Sequence, residues 1–205
     1  MKAKFFIWDF DGTIIDTYPR STQILVDTMR EVGVEIDYDK YIVMLRDSFG
    51  KTKQHLNMSD ELFDLYLKRA CTLSEPHPAP YKDVPELLEA INKSGGKNFL
   101  YTHRDKSALE YLDLYDLRHL FTECITCESD CFVHKPAADV IEHLIKKHRL
   151  DKEDTVMVGD REIDVLSGKN AGCKAILFDE RRIYTETSAD KKIYELCEIL
   201  NFIEK

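Results

Sequence analysis

The chain has 205 residues, 43% of them hydrophobic, which is enough for one well-buried core with a small accessory unit but too few for two full domains. Its 38 acidic residues outnumber 29 basic ones, and the formal charge of −9 disfavours nucleic acid and anionic membranes as general partners, because both would be repelled. No apolar run approaches the roughly 20 residues that a membrane-spanning helix needs, and the N-terminal run is too short for a signal peptide. We therefore expect a soluble cytoplasmic protein.

The predicted elements begin with a strand and continue with a helical block. Residues 5–8 form a short apolar run that ends in the turn sequence Asp-Phe-Asp-Gly-Thr, which is typical of a strand buried on both faces. Residues 17–73 then show helical periodicity, and Pro19 is suited to open the first helix. Three more helices are expected near residues 38–45, 54–56 and 61–73.

Helices and strands alternate in the rest of the chain. Short apolar strands are expected at residues 98–101, 124–127, 155–158 and 175–178, with helices at residues 84–92, 106–112, 136–148 and 163–170. This alternation predicts an α/β fold with a doubly wound, Rossmann-like parallel sheet. Apolar residues at helical spacing also predict a final helix within residues 185–205, packed through Ile193, Leu196, Leu200 and Ile203.

The helical block is expected to be an insertion after the first strand. Residues 1–15 and 81–205 would form the sheet-containing core, and residues 16–80 would form an inserted helical bundle. Three prolines, at positions 76, 78 and 80, mark the end of the insertion. Such a bundle would lie over the carboxyl edge of the sheet, where doubly wound folds place their ligands.

Asp9 and Asp11 are the strongest candidates for chemistry. Two acids that are one residue apart share a face while the chain is extended, and Gly12 permits a tight exit from the strand. The alternative is an acidic turn after a strand, because Asp-Gly is common in turns.

Three further polar segments fall at the same predicted edge. Thr102 follows the second strand and offers a hydroxyl to an oxyanion, while Lys135 precedes Pro136, which suits the first position of a helix. Asp160 and Asp164 follow the fourth strand, and their spacing puts both carboxylates on one helical face. Together the four segments supply a nucleophile, an acid or base, a hydroxyl, a cation and carboxylates for a divalent metal ion.

These four motifs, in this order and with this spacing, resemble those of the haloacid dehalogenase superfamily, and the resemblance covers the whole chain. It is closest to the subgroup with a helical cap between the first two motifs, which includes phosphoglycolate phosphatases, β-phosphoglucomutases, phosphonatases and haloacid dehalogenases. The resemblance implies an Mg²⁺-dependent phosphatase that hydrolyses a phosphomonoester of a small metabolite, with the cap closing to exclude water.

The resemblance also implies a role for each motif residue. Asp9 would attack phosphorus and form an aspartyl-phosphate, and Asp11 would act first as an acid and then as a base. Lys135 and Thr102 would hold the phosphoryl oxygens. The Mg²⁺ ion would be bound by oxygen atoms of Asp9, of the Asp11 backbone carbonyl and of Asp160. Asp164 would be a further ligand or a neighbour of the ligands.

Asp11 distinguishes between the reactions of the family. Its dehalogenases and phosphonatases lack an acid two residues after the nucleophile, so the presence of Asp11 favours phosphate-ester chemistry. A phosphomutase of the β-phosphoglucomutase type would use the same four motifs and is the alternative. A non-catalytic binding or regulatory protein on the same fold is a second alternative.

Four further residues are candidates for substrate binding. His103 and Arg104 follow Thr102 directly, which predicts that at least one of them lies at the rim of the phosphate pocket. Phosphoglycolate phosphatases usually have Asn-Lys there, so this chain departs from that group. Arg46 and Lys51 lie between two predicted cap helices, where they would grip a second anionic group of the substrate. The alternatives are a solvated Arg104 and an ordinary polar connection between the helices.

Cys124, Cys127 and Cys131, with His134 nearby, are of ligand types and spacing that suit zinc. Because residues 124–127 span a predicted strand, the thiols of Cys124 and Cys127 would point to opposite faces. We therefore expect reduced thiols without a metal.

Overall fold

The computed structural model describes residues 1–129 and 132–204. The chain divides into two compact units, Ile15–Ala79 and the combination of Met1–Ile14 with Pro80–Lys205. These limits lie one residue before the boundaries expected from the sequence. In the described part of the chain, no helix is both long enough and apolar enough to cross a membrane.

The smaller unit is a bundle of four helices: α1 (Tyr18–Glu31), α2 (Tyr38–Asp47), α3 (Phe49–His55) and α4 (Asp60–Cys71). Side chains of Asp37, Ser48 and Ser59 accept hydrogen bonds from the first turns of α2, α3 and α4, and so define where these helices begin. The bundle encloses its own apolar core, which includes Tyr18, Leu25, Tyr41, Leu45 and Tyr66.

The larger unit contains a six-stranded sheet in which every pair of neighbours is parallel. The strands are β1 (Phe5–Trp8), β2 (Lys97–Tyr101), β3 (Phe121–Ile125), β4 (Thr155–Gly159), β5 (Lys174–Phe178) and β6 (Lys191–Ile193). Their order in the sheet is β3-β2-β1-β4-β5-β6. The predicted doubly wound α/β fold is confirmed, and the strand order reverses at β1, where such sheets open a crevice at their carboxyl ends.

Four helices alternate with these strands: α5 (Val84–Lys93), α6 (Ser107–Leu114), α7 (Asp139–His148) and α8 (Glu162–Asn170). The buried β1 strand packs on both faces. Ile7 belongs to a cluster with Phe99, Met157 and the apolar face of α7. On the other face Trp8 stacks on Phe6 at 5.9 Å, and its indole N–H donates to Asn98 Oδ1 at 3.0 Å. Trp8 is therefore a core residue, and β1 is held rigidly at the centre of the sheet.

The C-terminal segment differs from its prediction. The expected single helix is replaced by β6, which pairs with β5, and by a 3-10 helix over Leu196–Phe202. Ile193 pairs with Phe178 in the sheet, whereas Leu200 is 50% exposed. The apolar spacing in this segment therefore corresponds to two short elements instead of one helix.

Two helical glycines offer a matched test of this packing. A Cβ atom at Gly168 in α8 would lie 2.8 Å from Met157 Cβ in β4, whereas a Cβ at Gly50 in α3 would meet only Ser48 Oγ, at 3.7 Å. We expect Gly168→Ala to lower the free energy of unfolding by about 1–3 kcal/mol, because the helix must move away from the sheet. Gly50→Ala should be neutral or stabilising by up to about 1 kcal/mol. Equilibrium urea unfolding measures the free energy of unfolding of both variants. Equal changes in the two variants would contradict a tight contact between Gly168 and β4.

Candidate active site

Asp9 lies directly after β1, at the centre of the sheet edge. Its backbone N–H donates to Val158 O at 2.9 Å, which continues the ladder between β1 and β4. Its side chain is only 1% exposed. Gly12 then takes φ +78°, a conformation that glycine adopts without strain, and the chain turns away from the sheet. The rigid strand and the turn together fix one carboxylate at the carboxyl edge.

Lys135 provides a buried cation at the same place. Its side chain has no exposed surface, and its Nζ lies 2.5 Å from Asp9 Oδ1 and 2.8 Å from Asp164 Oδ1. The ammonium group also lies 4.6 Å from the centre of the Tyr101 ring. Lys135 does not stand at the start of a helix as expected, because α7 begins only at Asp139. Its position depends instead on the two carboxylates and the aromatic ring.

Asp160 and Asp164 complete an acidic cluster around Asp9. Carboxylate oxygens of Asp9, Asp160 and Asp164 all lie within 4.8 Å of one another, and all three residues are buried. Asp164 Oδ2 accepts the backbone N–H of Arg161 at 3.1 Å, in the first turn of α8. A Cβ atom at Gly159 would lie 2.4 Å from Asp164 Cβ, so glycine lets β4 pass close to this carboxylate.

The residues of this cluster fit a divalent cation. Asp9 Oδ2 is buried and has no hydrogen-bond partner, and the two other carboxylates lie beside it. Hard divalent cations prefer oxygen ligands of this kind. Lys135 is in direct ionic contact with Asp9 and Asp164, and the positive charge of Arg161 also acts on both carboxylates. The structure thus brings together the carboxylates of Asp9, Asp160 and Asp164, which are predicted to bind the metal ion.

Burial and mutual charge perturb the three groups in different directions. Burial, together with the neighbouring Asp164, raises the pKa of Asp9 to about 6 despite the contact with Lys135. Burial opposes the charge on Lys135, but Asp164 and Asp9 together raise the pKa of Lys135 above its usual value. Burial likewise opposes the charge on Asp164, yet Lys135 and Arg161 lower its pKa overall. The ammonium therefore stays charged, and Asp9 is the less well compensated carboxylate.

Thr102 and His103 lie after the end of β2. Thr102 donates its backbone N–H to Ile125 O at 3.0 Å, and its hydroxyl accepts the N–H of Arg104, also at 3.0 Å. The His103 ring lies 5.2 Å from the ring of His134, centre to centre. Burial lowers the pKa of His103 to about 4, so this imidazole is neutral at neutral pH. Both residues remain predicted contacts of the substrate.

Arg104 is buried, which excludes the alternative of a solvated side chain. Its side chain is only 4% exposed, and its Nη1 donates to Asp11 Oδ1 at 2.8 Å. Its Nε donates to Ser107 Oγ at 2.8 Å, and its guanidinium lies 5.3 Å from the centre of the Tyr111 ring. The contacts of Arg104 with Ser107 and Tyr111 could not be predicted from the sequence, because neither residue belongs to a recognisable motif. The only local signal is the three-residue spacing from Arg104 to Ser107 at the start of α6.

The two cap candidates lie within helices rather than in a connection between them. Arg46 belongs to α2 and Lys51 to α3, and the linker between these helices is the single residue Ser48. Arg46 is buried, with Nη2 3.1 Å from Asp16 Oδ1 and its guanidinium 4.5 Å from the centre of the Tyr18 ring. Lys51 is exposed and forms an ion pair with Asp47. Both basic groups therefore have acidic partners within their own unit.

Two of the three cysteines considered for zinc lie within the described residues 1–129 and 132–204. Cys124 and Cys127 have free thiols, and the acidic cluster is the only potential metal-binding group found in these ranges. The strand β3 ends at Ile125, so Cys127 lies beyond it and the predicted strand was placed too late. Burial raises the pKa of Cys124 to about 11, which keeps this thiol protonated. Cys131 lies outside the described residues.

Comparison with known proteins identifies the family. The family model for haloacid dehalogenase-like hydrolases matches residues 6–178, a span that includes the Asp9 turn, Lys135 and the acidic cluster. The chain belongs to this family. It is therefore a hydrolase of the haloacid dehalogenase-like family, and its inserted helical unit follows the first strand.

Relatives with names and solved structures support the same assignment. The chain is 27% identical to pyrophosphatase PpaX of Halalkalibacterium halodurans, over 85% of this chain and 82% of the relative. It is 28% identical to a phosphoglycolate phosphatase of Vibrio cholerae, over 83% and 81% of the two chains. A hydrolase from Streptococcus pneumoniae superposes with a TM-score of 0.65 and 31% identity, covering 87% of this chain and 94% of that one.

Substitutions at Asp9 and Lys135 should change the stability of the metal-free protein in opposite directions. Asp9→Asn removes a charge that burial and Asp164 disfavour, so the free energy of unfolding in EDTA at neutral pH should rise by about 1–3 kcal/mol. Lys135→Met removes the ammonium group that contacts both buried carboxylates and should lower the free energy of unfolding by about 3–5 kcal/mol.

Urea unfolding of both variants tests this arrangement, with Asp116→Asn as the control. Asp116 is almost fully exposed and its backbone has φ +53°, which asparagine tolerates, so no change is expected. If Asp9→Asn lost as much stability as Lys135→Met, Asp9 and Lys135 would form an ordinary stabilising ion pair, and net destabilisation of the Asp9 charge by burial and Asp164 would be refuted.

Proposed function

We propose that this protein is an Mg²⁺-dependent phosphatase that hydrolyses a phosphomonoester of a small metabolite through an aspartyl-phosphate on Asp9. The observation that carries the proposal is the buried Asp9 carboxylate, with one oxygen on Lys135 and the other without a hydrogen-bond partner beside Asp160 and Asp164. Two relatives named as a pyrophosphatase and a phosphoglycolate phosphatase support a phosphorylated substrate.

In the first step the Asp9 carboxylate attacks phosphorus. The new bond between Asp9 and phosphorus forms as the bond to the leaving oxygen breaks, and Asp11 gives its proton to that oxygen. Lys135 and the Thr102 hydroxyl stabilise the charge that develops on the phosphoryl oxygens. The products of this step are the free alcohol, the aspartyl-phosphate and the Asp11 carboxylate.

In the second step a water molecule attacks the phosphorus of the aspartyl-phosphate. The Asp11 carboxylate accepts a proton from the water, and the bond between phosphorus and Asp9 breaks. Inorganic phosphate leaves, Asp9 returns to its free carboxylate form, and Asp11 is protonated again for the next cycle. Because Asp11 serves both steps, its presence favours phosphate esters over carbon-halogen bonds.

The metal-ion part of the proposal rests on the carboxylates of Asp9, Asp160 and Asp164, with the backbone carbonyl of Asp11 as a further ligand. When bound, Mg²⁺ would neutralise negative charge on these carboxylates and on the substrate phosphate, which would otherwise repel each other. The ion would thus offset part of the negative charge of these three buried carboxylates.

Replacement of the nucleophile should abolish activity. With p-nitrophenyl phosphate and Mg²⁺, Asp9→Asn should lower the rate of p-nitrophenol release at least about 10³-fold, because the amide cannot form the acyl-phosphate bond. Asp116→Asn should retain the full rate, since Asp116 lies exposed in the same unit. Retained activity in Asp9→Asn would refute the mechanism.

Metal removal should abolish the activity reversibly. EDTA should eliminate turnover and Mg²⁺ should restore it, while Asp160→Asn should raise the Mg²⁺ concentration for half-maximal activity by at least about 10-fold. The rise of the melting temperature with added Mg²⁺ gives a readout that does not depend on turnover. Full activity in EDTA would contradict the proposed metal site.

A panel of phosphorylated metabolites that includes phosphoglycolate and inorganic pyrophosphate would define the leaving group. We expect release of free phosphate from a small soluble member of the panel. A sugar phosphate converted to its isomer in the presence of the bisphosphate, without free phosphate, would indicate a phosphomutase instead. Bound Mg²⁺ without turnover of any compound would indicate a non-catalytic protein.

A further inference from the structure

Asp11 is held by a buried arginine that comes from a distant part of the chain. Arg104 Nη1 lies 2.8 Å from Asp11 Oδ1, and the side chains of these two residues are 4% and 20% exposed. The two residues are 93 positions apart in the sequence. The contact therefore joins the turn after β1 to the segment between β2 and α6.

The guanidinium of Arg104 is itself fixed on several sides. Ser107 Oγ accepts its Nε–H at 2.8 Å, and the ring centres of Tyr111 and Phe10 lie 5.3 and 5.7 Å away. The backbone N–H of Arg104 donates to the Thr102 hydroxyl. Arg104 is thus anchored by α6 and by the end of β2 before it reaches Asp11, and little freedom remains for the pair to reorient.

Such a pair is poorly explained by stability alone. Removal of the Arg104 guanidinium from water costs several kcal/mol in effective terms, while the Asp11 side chain stays 20% exposed, and apolar side chains of similar volume often replace a buried ion pair without loss. An arginine offers something that an apolar residue lacks, because its planar donors fix the orientation of a carboxylate. The geometry points to control of where the Asp11 carboxylate lies.

We propose that Arg104 is a positioning residue that holds the Asp11 carboxylate for its role as the base in hydrolysis of the aspartyl-phosphate. This inference rests on the proposed function. Asp11 acts as the base in the second step, and the contact with Arg104 Nη1 fixes the direction of its carboxyl group. In that step the water oxygen bonds to phosphorus, its proton passes to Asp11 and the bond from phosphorus to Asp9 breaks.

Burst kinetics with p-nitrophenyl phosphate separate this role from general support of the fold. p-Nitrophenolate leaves without help from an acid, so Arg104→Gln should still release about one equivalent of p-nitrophenol rapidly. Steady-state turnover should then be about 10- to 100-fold slower than in the wild type, because misplacement of a catalytic group by about 1 Å costs on that order. Arg104→Lys keeps the charge and should recover part of the rate.

Two controls accompany this measurement. Arg118→Gln breaks an exposed ion pair with Asp113 in the same unit and should leave both the burst and the turnover unchanged. The rise of the melting temperature with Mg²⁺ should be the same in Arg104→Gln as in the wild type. If Arg104→Gln does not fold, Ser107→Ala removes one anchor of the guanidinium and should produce the same pattern on a smaller scale.

A double-mutant cycle with Asp11→Asn gives the decisive outcome. If Arg104 acts through Asp11, the loss of turnover in the double variant should equal that of Asp11→Asn alone. Losses that multiply, or a burst and a turnover that fall by the same factor, would overturn the positioning role. A wild-type protein that releases no p-nitrophenol would instead refute the proposed function, so the two failures are distinguishable.

Discussion

A single buried ammonium group organises the candidate site. Lys135 lies between the carboxylates of Asp9 and Asp164, and the side chains of all three residues are almost completely buried. The two carboxylates repel each other, and the ammonium group between them compensates the charge of both. The contact between Asp9 and Lys135 joins residues 126 positions apart in the sequence. Because Lys135 also contacts Asp164, it connects the end of β1 with the first turn of α8, although it belongs to neither element.

The fold explains why these charges can meet at all. The strand order reverses at β1, so the carboxyl ends of β1, β2 and β4 lie side by side where their connections diverge. The close approach of Gly159 to Asp164 lets the acidic cluster form without displacing β4. The formal charge of −9 therefore says little about ligands, because carboxylates are concentrated at one place, where a bound cation would make an anionic substrate acceptable.

Four of the six strands lie within one residue of the bounds expected from the sequence. These strands are predictable because they are short continuous apolar runs between helices. The sequence predicts the final segment poorly. Apolar residues at helical spacing also suit a strand followed by a 3-10 helix, and only pairing with β5 decides between them. The location of Arg104 could not be predicted either, since its partner Asp11 is far away in the sequence and no motif links them.

If Asp9 carries the phosphoryl group as proposed, the phosphorylated intermediate can be trapped and identified by mass spectrometry. The wild-type protein, mixed with substrate and Mg²⁺, is quenched in acid and digested with pepsin at low pH, where acyl phosphates survive. We expect one added phosphoryl group on the Asp9 side chain of the peptide that contains it, and none in Asp9→Asn. A phosphoryl group on another residue, or turnover without any phosphorylated peptide, would contradict it.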